Sequence, residues 1–492
     1  MRQIKSAHLL MIVSIGLGMA ALTACNKAAD QTAAASEGKV PITTRSDDAR
    51  QEYLQGRDLS ERLLGQESLQ HFDKALSIDP DFASAELARA NNSPTTKEFF
   101  EHQKKAVALA DKASDGEKLL ILANEAGANG GAAKQKDSLE KLVAAYPNDE
   151  RAQFALANYY FGQQDIEKAI EHYKKATEIA PKYSPPYNVL GYAYRQKEDY
   201  SDAEQTFKKY IELIPNDPNP YDSYAELLLK MGRFEDSIAQ YHKALSIDPH
   251  FVPSHFGLAA ALMYSGKPEE AQAELQTMAT QARNDGELRT AYFGMAVVAS
   301  DRGKFEDALK QMDKEYAVAE KKGDTMSMAA DLQASGNIQQ QMKKYDEAKR
   351  TFDRSFQMVQ ASNQSQEIKE NSRLVHEYNL TAVAIAKKQL EEAKAHAAIY
   401  QKEADGSRND VRIKLAHELQ GRIALAWDDY DKAITELKQA NQQDPQNLYR
   451  LSQAYQGKGD SAKAQEWLGK AAGFNSLPAL PYAFIRVKAQ KA

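Results

Sequence analysis

The side chains that could do chemistry in this chain are few, and their spacing is wrong for it. Ten histidines stand at positions 8, 71, 102, 172, 242, 250, 255, 376, 396 and 417. None falls in a His-Glu-x-x-His pattern, which would put two imidazoles and a general base on one helix face, and no cysteine pair exists to build a zinc site. His172 and His242 lie among polar neighbours and read as solvent-facing, while His250 and His255 flank Pro253 at a turn. Gly127, Gly130 and Gly131 lack the Lys-Ser/Thr that must follow a phosphate-cradling loop. No Gly-x-Ser-x-Gly elbow is present. Glu269-Glu270 and Glu391-Glu392 are adjacent, and neighbouring helical positions point about 100° apart, so they read as solvated charges rather than an acid/base dyad. The expectation is no catalytic residue, no metal and no cofactor.

What the chain does carry is a repeated pattern of packing residues. Leu156, Ala157, Tyr160, Ala169, Tyr173, Ala176 and Pro181 recur as Leu190, Gly191, Tyr194, Ala203, Phe207, Tyr210 and Pro215. They recur again as Tyr224, Ala225, Leu228, Ser237, Tyr241, Ala244 and Pro249, each time 34 residues on. Positions i, i+1 and i+4, then i, i+4 and i+7, describe one face of each of two short helices. The small residues let paired backbones approach, the aromatics fill the space between units, and the prolines stop the second helix. One such hairpin cannot bury its own apolar face, so the units must stack.

A 34-residue period with small, aromatic and proline residues at these offsets resembles the tetratricopeptide repeat. The resemblance implies an all-α, right-handed superhelical solenoid of antiparallel helix pairs, with about eleven units between Ala49 and Phe474. It further implies that first helices line a concave face that binds a polypeptide. The lining positions would be Phe154, Asn158 and Phe161, then Asn188, Tyr192 and Arg195, then Asp222, Glu226 and Leu229, then Phe256, Met263 and Tyr264. Aromatic anchors with polar contacts suit an extended or helical peptide. The alternative for Phe154, Phe161 and Phe256 is packing against neighbouring units. Some members of the family grip a carboxylate with lysine and asparagine; Asn158 occupies one of those positions, but Phe154 stands where the lysine would be.

The amino terminus reads as a leader. Arg2 and Lys5 precede an apolar run from Leu9 to Leu22, too short to span a membrane but suited to a signal segment. Leu22-Thr23-Ala24-Cys25 resembles a bacterial lipobox, which implies cleavage after Ala24 and lipidation of Cys25. Asn26 rather than aspartate at the next position turns the expectation to the outer membrane, facing the periplasm. If Cys25 carries lipid, no free thiol remains.

These signals divide the chain into a signal peptide (1–24), a lipidated cysteine and flexible tether (25–46), and N-terminal repeat-like units (47–147). Regular 34-residue units (148–285), longer units (286–412), C-terminal units (413–476) and a capping helix with tail (477–492) follow. In the longer units the step stretches to between 40 and 45 residues. The tether is rich in Ala, Thr and Lys without apolar periodicity. The final segment from Pro481 to Lys488, with Tyr482, Ile485 and Phe484, is expected to cover the last open hairpin. Net charge is −6, or −8 once Arg2 and Lys5 leave with the leader, and Lys, Arg, Asp and Glu are interspersed. With no basic block, nucleic acid is an unfavoured partner.

Read together, these features predict a non-catalytic interaction scaffold, tethered to a bacterial envelope membrane and holding a partner polypeptide of the envelope for assembly or export. A periplasmic ligand-binding or enzymatic helical-repeat protein is the rival, and a self-associating structural organiser is a third reading.

Overall fold

The computed structural model describes residues 38–407 and 409–492. The expected signal peptide, Cys25 and the expected tether up to residue 37 lie outside the described residues. Among the described residues the chain is all-α, with no strand, and no helix is long and apolar enough to cross a membrane. The described residues form an all-α helical-repeat solenoid, in two compact units that meet in sequence between Pro215 and Asn216.

The first unit holds five helix pairs: α1 Asp47–Glu61 with α2 Gly65–Ile78, α3 Ala83–Asn91 with α4 Thr96–Leu109, and α5 Asp115–Ala128 with α6 Ala132–Ala145. Then come α7 Glu150–Gly162 with α8 Ile166–Ile179, and α9 Pro185–Gln196 with α10 Tyr200–Leu213. The second unit holds seven: α11 Asn219–Lys230 with α12 Phe234–Ile247, α13 Val252–Tyr264 with α14 Pro268–Gln281, and α15 Asp285–Asp301 with α16 Phe305–Lys322. These are followed by α17 Thr325–Gln341 with α18 Tyr345–Gln360, α19 Gln366–Ala386 with α20 Leu390–Ser407, α21 Asp410–Ala426 with α22 Tyr430–Gln439, and α23 Pro445–Lys458 with α24 Ser461–Ala472. Two short helices, α25 Leu480–Ala483 and α26 Arg486–Lys491, end the chain. Twelve pairs thus stand where the periodicity gives about eleven. The irregular step that blurs the count comes from helices of 16–21 residues between α15 and α21, against 12–14 in the regular units.

The period is written into the backbone as well as the core. The turn inside successive pairs passes through one left-handed residue, Gln164, Glu198, Gly232 and Gly266, again in steps of 34. The next N–H reaches back to close the first helix: Asp165 to the Tyr160 carbonyl at 2.9 Å and Lys267 to that of Leu262 at 2.8 Å. This is the six-to-one closure that satisfies a helix's last carbonyls. Asp165 and Asp199 then cap the second helices through their side chains, each cap contributing about 1 kcal/mol. Those helices end at Ile179, Leu213 and Ile247, two residues before the prolines.

The repeated aromatics are the core. Phe72, Tyr173, Phe207, Tyr210, Tyr241 and Phe352 are fully buried, each worth about 1.5–3 kcal/mol of transfer from water. Close approach explains one small residue in particular: a Cβ on Gly191 would stand 2.7 Å from the Phe207 ring.

Both ends of the described chain depart from expectation. Residues 38–46, read from sequence as the end of a flexible tether, lie docked against the first unit with Val40 and Ile42 buried. The final segment does not merely cover the last hairpin. It reaches back to α11, α13, α15 and α17, and so the second unit closes on itself.

Candidate functional site

The first-helix positions expected to line a groove are engaged differently in the two units. In the first, Phe154 is 1% exposed and packs on Tyr173 and Tyr183 with ring centres 5.8 and 6.0 Å away. Phe161 meets Tyr173 edge-on, and Asn158 accepts the Tyr173 hydroxyl at 2.7 Å. Phe154 is core, and Phe161 packs partly against its own hairpin, not against a neighbouring unit. Asn188 is buried. Tyr192 and Arg195 remain partly accessible, with Tyr192 edge-on to Phe207 and the Arg195 guanidinium 4.7 Å above the Tyr192 ring.

In the second unit Asp222, Glu226, Leu229, Met263 and Tyr264 are all buried, and Phe256 is partly so. Burial pushes the Asp222 carboxyl up to about 8, against the Ser254 hydroxyl that donates to it at 2.7 Å. The end of α13 is covered by the chain's own end. The Tyr264 hydroxyl donates to the Ser476 carbonyl at 2.6 Å, and its ring meets Tyr482 at 5.4 Å. Lys230 donates to the Phe474 carbonyl at 2.6 Å and sits 3.7 Å over that ring. Arg486 grips Asp301 through two bonds of 2.7 and 2.5 Å. Tyr264 is therefore a core residue held by the chain's own end, and Met263 beside it is buried as well. Sequence gave no sign of this, because the partners lie 147–244 residues apart.

The first unit has its own occupant. The Val40 N–H donates to Asp149 at 2.8 Å, the Thr43 N–H to Glu117 at 3.0 Å, and the Arg45 N–H to Asp79 at 3.0 Å. Lys39 pairs with Glu150 and Arg45 with Asp81. Each carboxylate has a local role too. Asp149 caps α7 by accepting from Arg151 and Ala152, and Glu117 closes a capping box with Ser114. Burial raises the Asp149 carboxyl, opposed by the amides of Val40 and Ala152. The Ser-x-x-Glu spacing of Ser114 and Glu117 is legible as a cap, but nothing in it announces a second ligand.

The remaining polar clusters are structural braces. His71 with Glu52, His396 with Glu377 and His417 with Glu436 join the two helices of a pair at 2.6–2.8 Å, always 19 residues apart. His172 follows the same geometry with Gln153 and stacks on Tyr160. It is half-buried, which corrects the solvent-facing reading; His242 is exposed. Arg289 is held by Asp331 and Glu315 inside α15–α17. Burial opposes the charge on Glu418, but Arg450 and Arg422 outweigh it and hold that carboxyl low. Among the described residues no group of three or more His, Cys, Asp or Glu could hold a metal ion.

Comparison with known proteins matches three stretches. Models described as tetratricopeptide repeat match residues 150–216, 228–292 and 446–476. No curated protein matches the sequence. Among solved structures, the chain is similar to a tetratricopeptide repeat protein from Parabacteroides merdae, with 14% identity, 56% of this chain and 94% of that one covered, and a TM-score of 0.35. It is also similar to TTC0263 of Thermus thermophilus, with 23% identity, 44% and 98% covered, and a TM-score of 0.29. YrrB, a repeat protein described as having an unusual peptide-binding site, shares 19% identity over 37% of this chain and 91% of its own, with a TM-score of 0.26. Fits this loose carry no weight for function. The family models and the helix pairs agree on the unit of construction: tetratricopeptide repeats build the stretches 150–216, 228–292 and 446–476 of this chain.

Proposed function

We propose that the protein is a non-catalytic protein-interaction scaffold, lipid-anchored at Cys25 to the bacterial outer membrane and facing the periplasm, where it serves envelope assembly or export. The observation that carries the scaffold reading is the helix pairs of each unit, five in the first and seven in the second, with tetratricopeptide repeats in three stretches. The anchor rests on the charged, apolar and Leu-Thr-Ala-Cys segments standing in order at the amino terminus. The partner is a polypeptide of the envelope. It is met on the first unit's first-helix faces, where Asn158, Phe161, Tyr192 and Arg195 keep part of their surface accessible. An aromatic ring under a guanidinium is the kind of rigid anchor that dominates binding energy.

Two measurements test this. A photo-crosslinker at Tyr192 in the intact envelope is expected to capture a defined polypeptide, whereas one at Tyr264 captures none. Recovery of only lipid and bulk porins from position 192 counts against the scaffold. Separately, Cys25→Ser is expected to abolish incorporation of a labelled fatty acid and to release the protein from the membrane fraction. Unchanged labelling removes the anchor and leaves the scaffold standing.

A further inference from the structure

The docked segment is held in a way that does not depend on its being the same chain. Three of its backbone amides, at positions 40, 43 and 45, go to carboxylates at three separate helix ends, and the Thr43 and Thr44 hydroxyls donate to two of the same carboxylates, Glu117 and Asp79. Recognition through main-chain N–H groups accepts any extended peptide, and pockets for alternate side chains then select among them. The pockets are visible. Val40 and Ile42 are 5% and 4% exposed, and a Cβ on Gly116 would lie 2.7 Å from Val40 Cγ1, so the glycine makes the space that Val40 fills. The ends are read by charge, Lys39 against Glu150 and Arg45 against Asp81.

We propose that Asp79, Glu117 and Asp149 form a binding site for an extended peptide, and that residues 39–45 are its resident occupant. A partner segment of the same chemistry, two branched apolar side chains between basic ends, displaces them. Exchange leaves the unit folded, because the carboxylates keep local bonds: Asp149 to the α7 amides, Glu117 to the Ser84 hydroxyl at 2.8 Å and the Ser114 amide at 3.0 Å. The occupant competes as an intramolecular ligand, at an effective concentration on the order of millimolar. The site therefore opens only to a partner that binds well or is itself concentrated. The proposal deepens the scaffold reading and rests on it for the biological partner, but it is tested on the purified full-length chain, where neither lipid nor envelope is involved.

The probe is a fluorescent peptide Lys-Val-Pro-Ile-Thr-Thr-Arg, the sequence of residues 39–45. It is titrated into the wild-type chain and into the Val40→Asp/Ile42→Asp double variant, whose own segment cannot seat. The variant is expected to bind at least about tenfold more tightly. N-methylation of the peptide at the Thr43 equivalent removes one donor and is expected to weaken binding to the variant about tenfold. Equal binding by both chains, binding by neither, or indifference to N-methylation overturns the proposal. If the variant fails to fold, amide exchange on the wild type decides. The amides of Val40, Thr43 and Arg45 are expected to be protected and to lose protection when excess peptide is added. Random-coil exchange without peptide, or protection unmoved by it, overturns the site.

Discussion

The two units each hold one end of the chain, and they hold it by different physics. The leading segment of the five-pair unit is held by three backbone amides and the Thr43 and Thr44 hydroxyls on carboxylates, by ion pairs at its ends, and by two inserted apolar side chains. The trailing segment of the seven-pair unit is held by large rings and a desolvated ion pair: Tyr482 on Tyr264, Phe484 near Phe305, and Arg486 on Asp301, whose side chains are 12% and 3% exposed. Backbone bonds to ions that also cap helices can be broken without orphaning a core group. Breaking the second arrangement exposes a contiguous apolar cluster and strands a buried charge. The first is built to exchange and the second to stay.

Substitutions sharpen that contrast. Arg486→Met leaves Asp301 buried without its cation and is expected to cost about 3–5 kcal/mol, read as a lowered denaturation midpoint and faster amide exchange in α13 and α15. A loss under about 1 kcal/mol would put the trailing segment in the same class as the leading one. Next in size is Asp222→Asn. A carboxyl whose folded pKa lies above its unfolded value binds an extra proton on folding, so stability falls as pH rises from about 4 to about 8. Asparagine keeps an oxygen for the Ser254 hydroxyl. The variant is expected to lose that slope and to exceed the wild type by a few kcal/mol at pH 9. Parallel pH profiles would mean Asp222 ionises normally.

On the leading segment the effects are smaller. Gly116→Ala drives a methyl into Val40 and is expected to cost about 1 kcal/mol, since overpacking of about 1–3 kcal/mol is partly offset by alanine's helix preference. Its signature is lost amide protection at Val40 and Thr43 with helix content unchanged. Smallest, Lys168→Ala removes an exposed pair with Asp165 and is expected to move thermal stability by less than about 0.5 kcal/mol. A larger change there would mean that surface charge, not the buried ends, carries the stability.

The helix pairs were legible in the sequence because each is local. The Leu156–Pro181 pattern, its copies at 34-residue intervals and the stop before each proline all come from contacts within about one hairpin's length. The docked ends were not. Lys39 to Arg45 carries no helical period, and its partners lie 34–111 residues away, so composition alone reads it as linker. The same blindness affected the groove. Tyr264 sits at a lining position, but the return of the distant Phe474–Lys488 stretch turns it into core. Phe154 is lost to the groove for a nearer reason, since a phenylalanine on a first helix cannot be told from one that braces Tyr173 until the ring contacts are seen.

The docked strand also sets a mechanical length. With residues 39–46 seated, 12 residues separate Cys25 from Gly38, and any load from a lipid anchor enters beside Asn148, the neighbour of Gly38, rather than at the first helix. Release of the three amides adds eight residues of slack, roughly 25 Å of extended chain. On the anchored reading, a partner that takes the strand's place would at the same moment let the first unit drift that much farther from the bilayer.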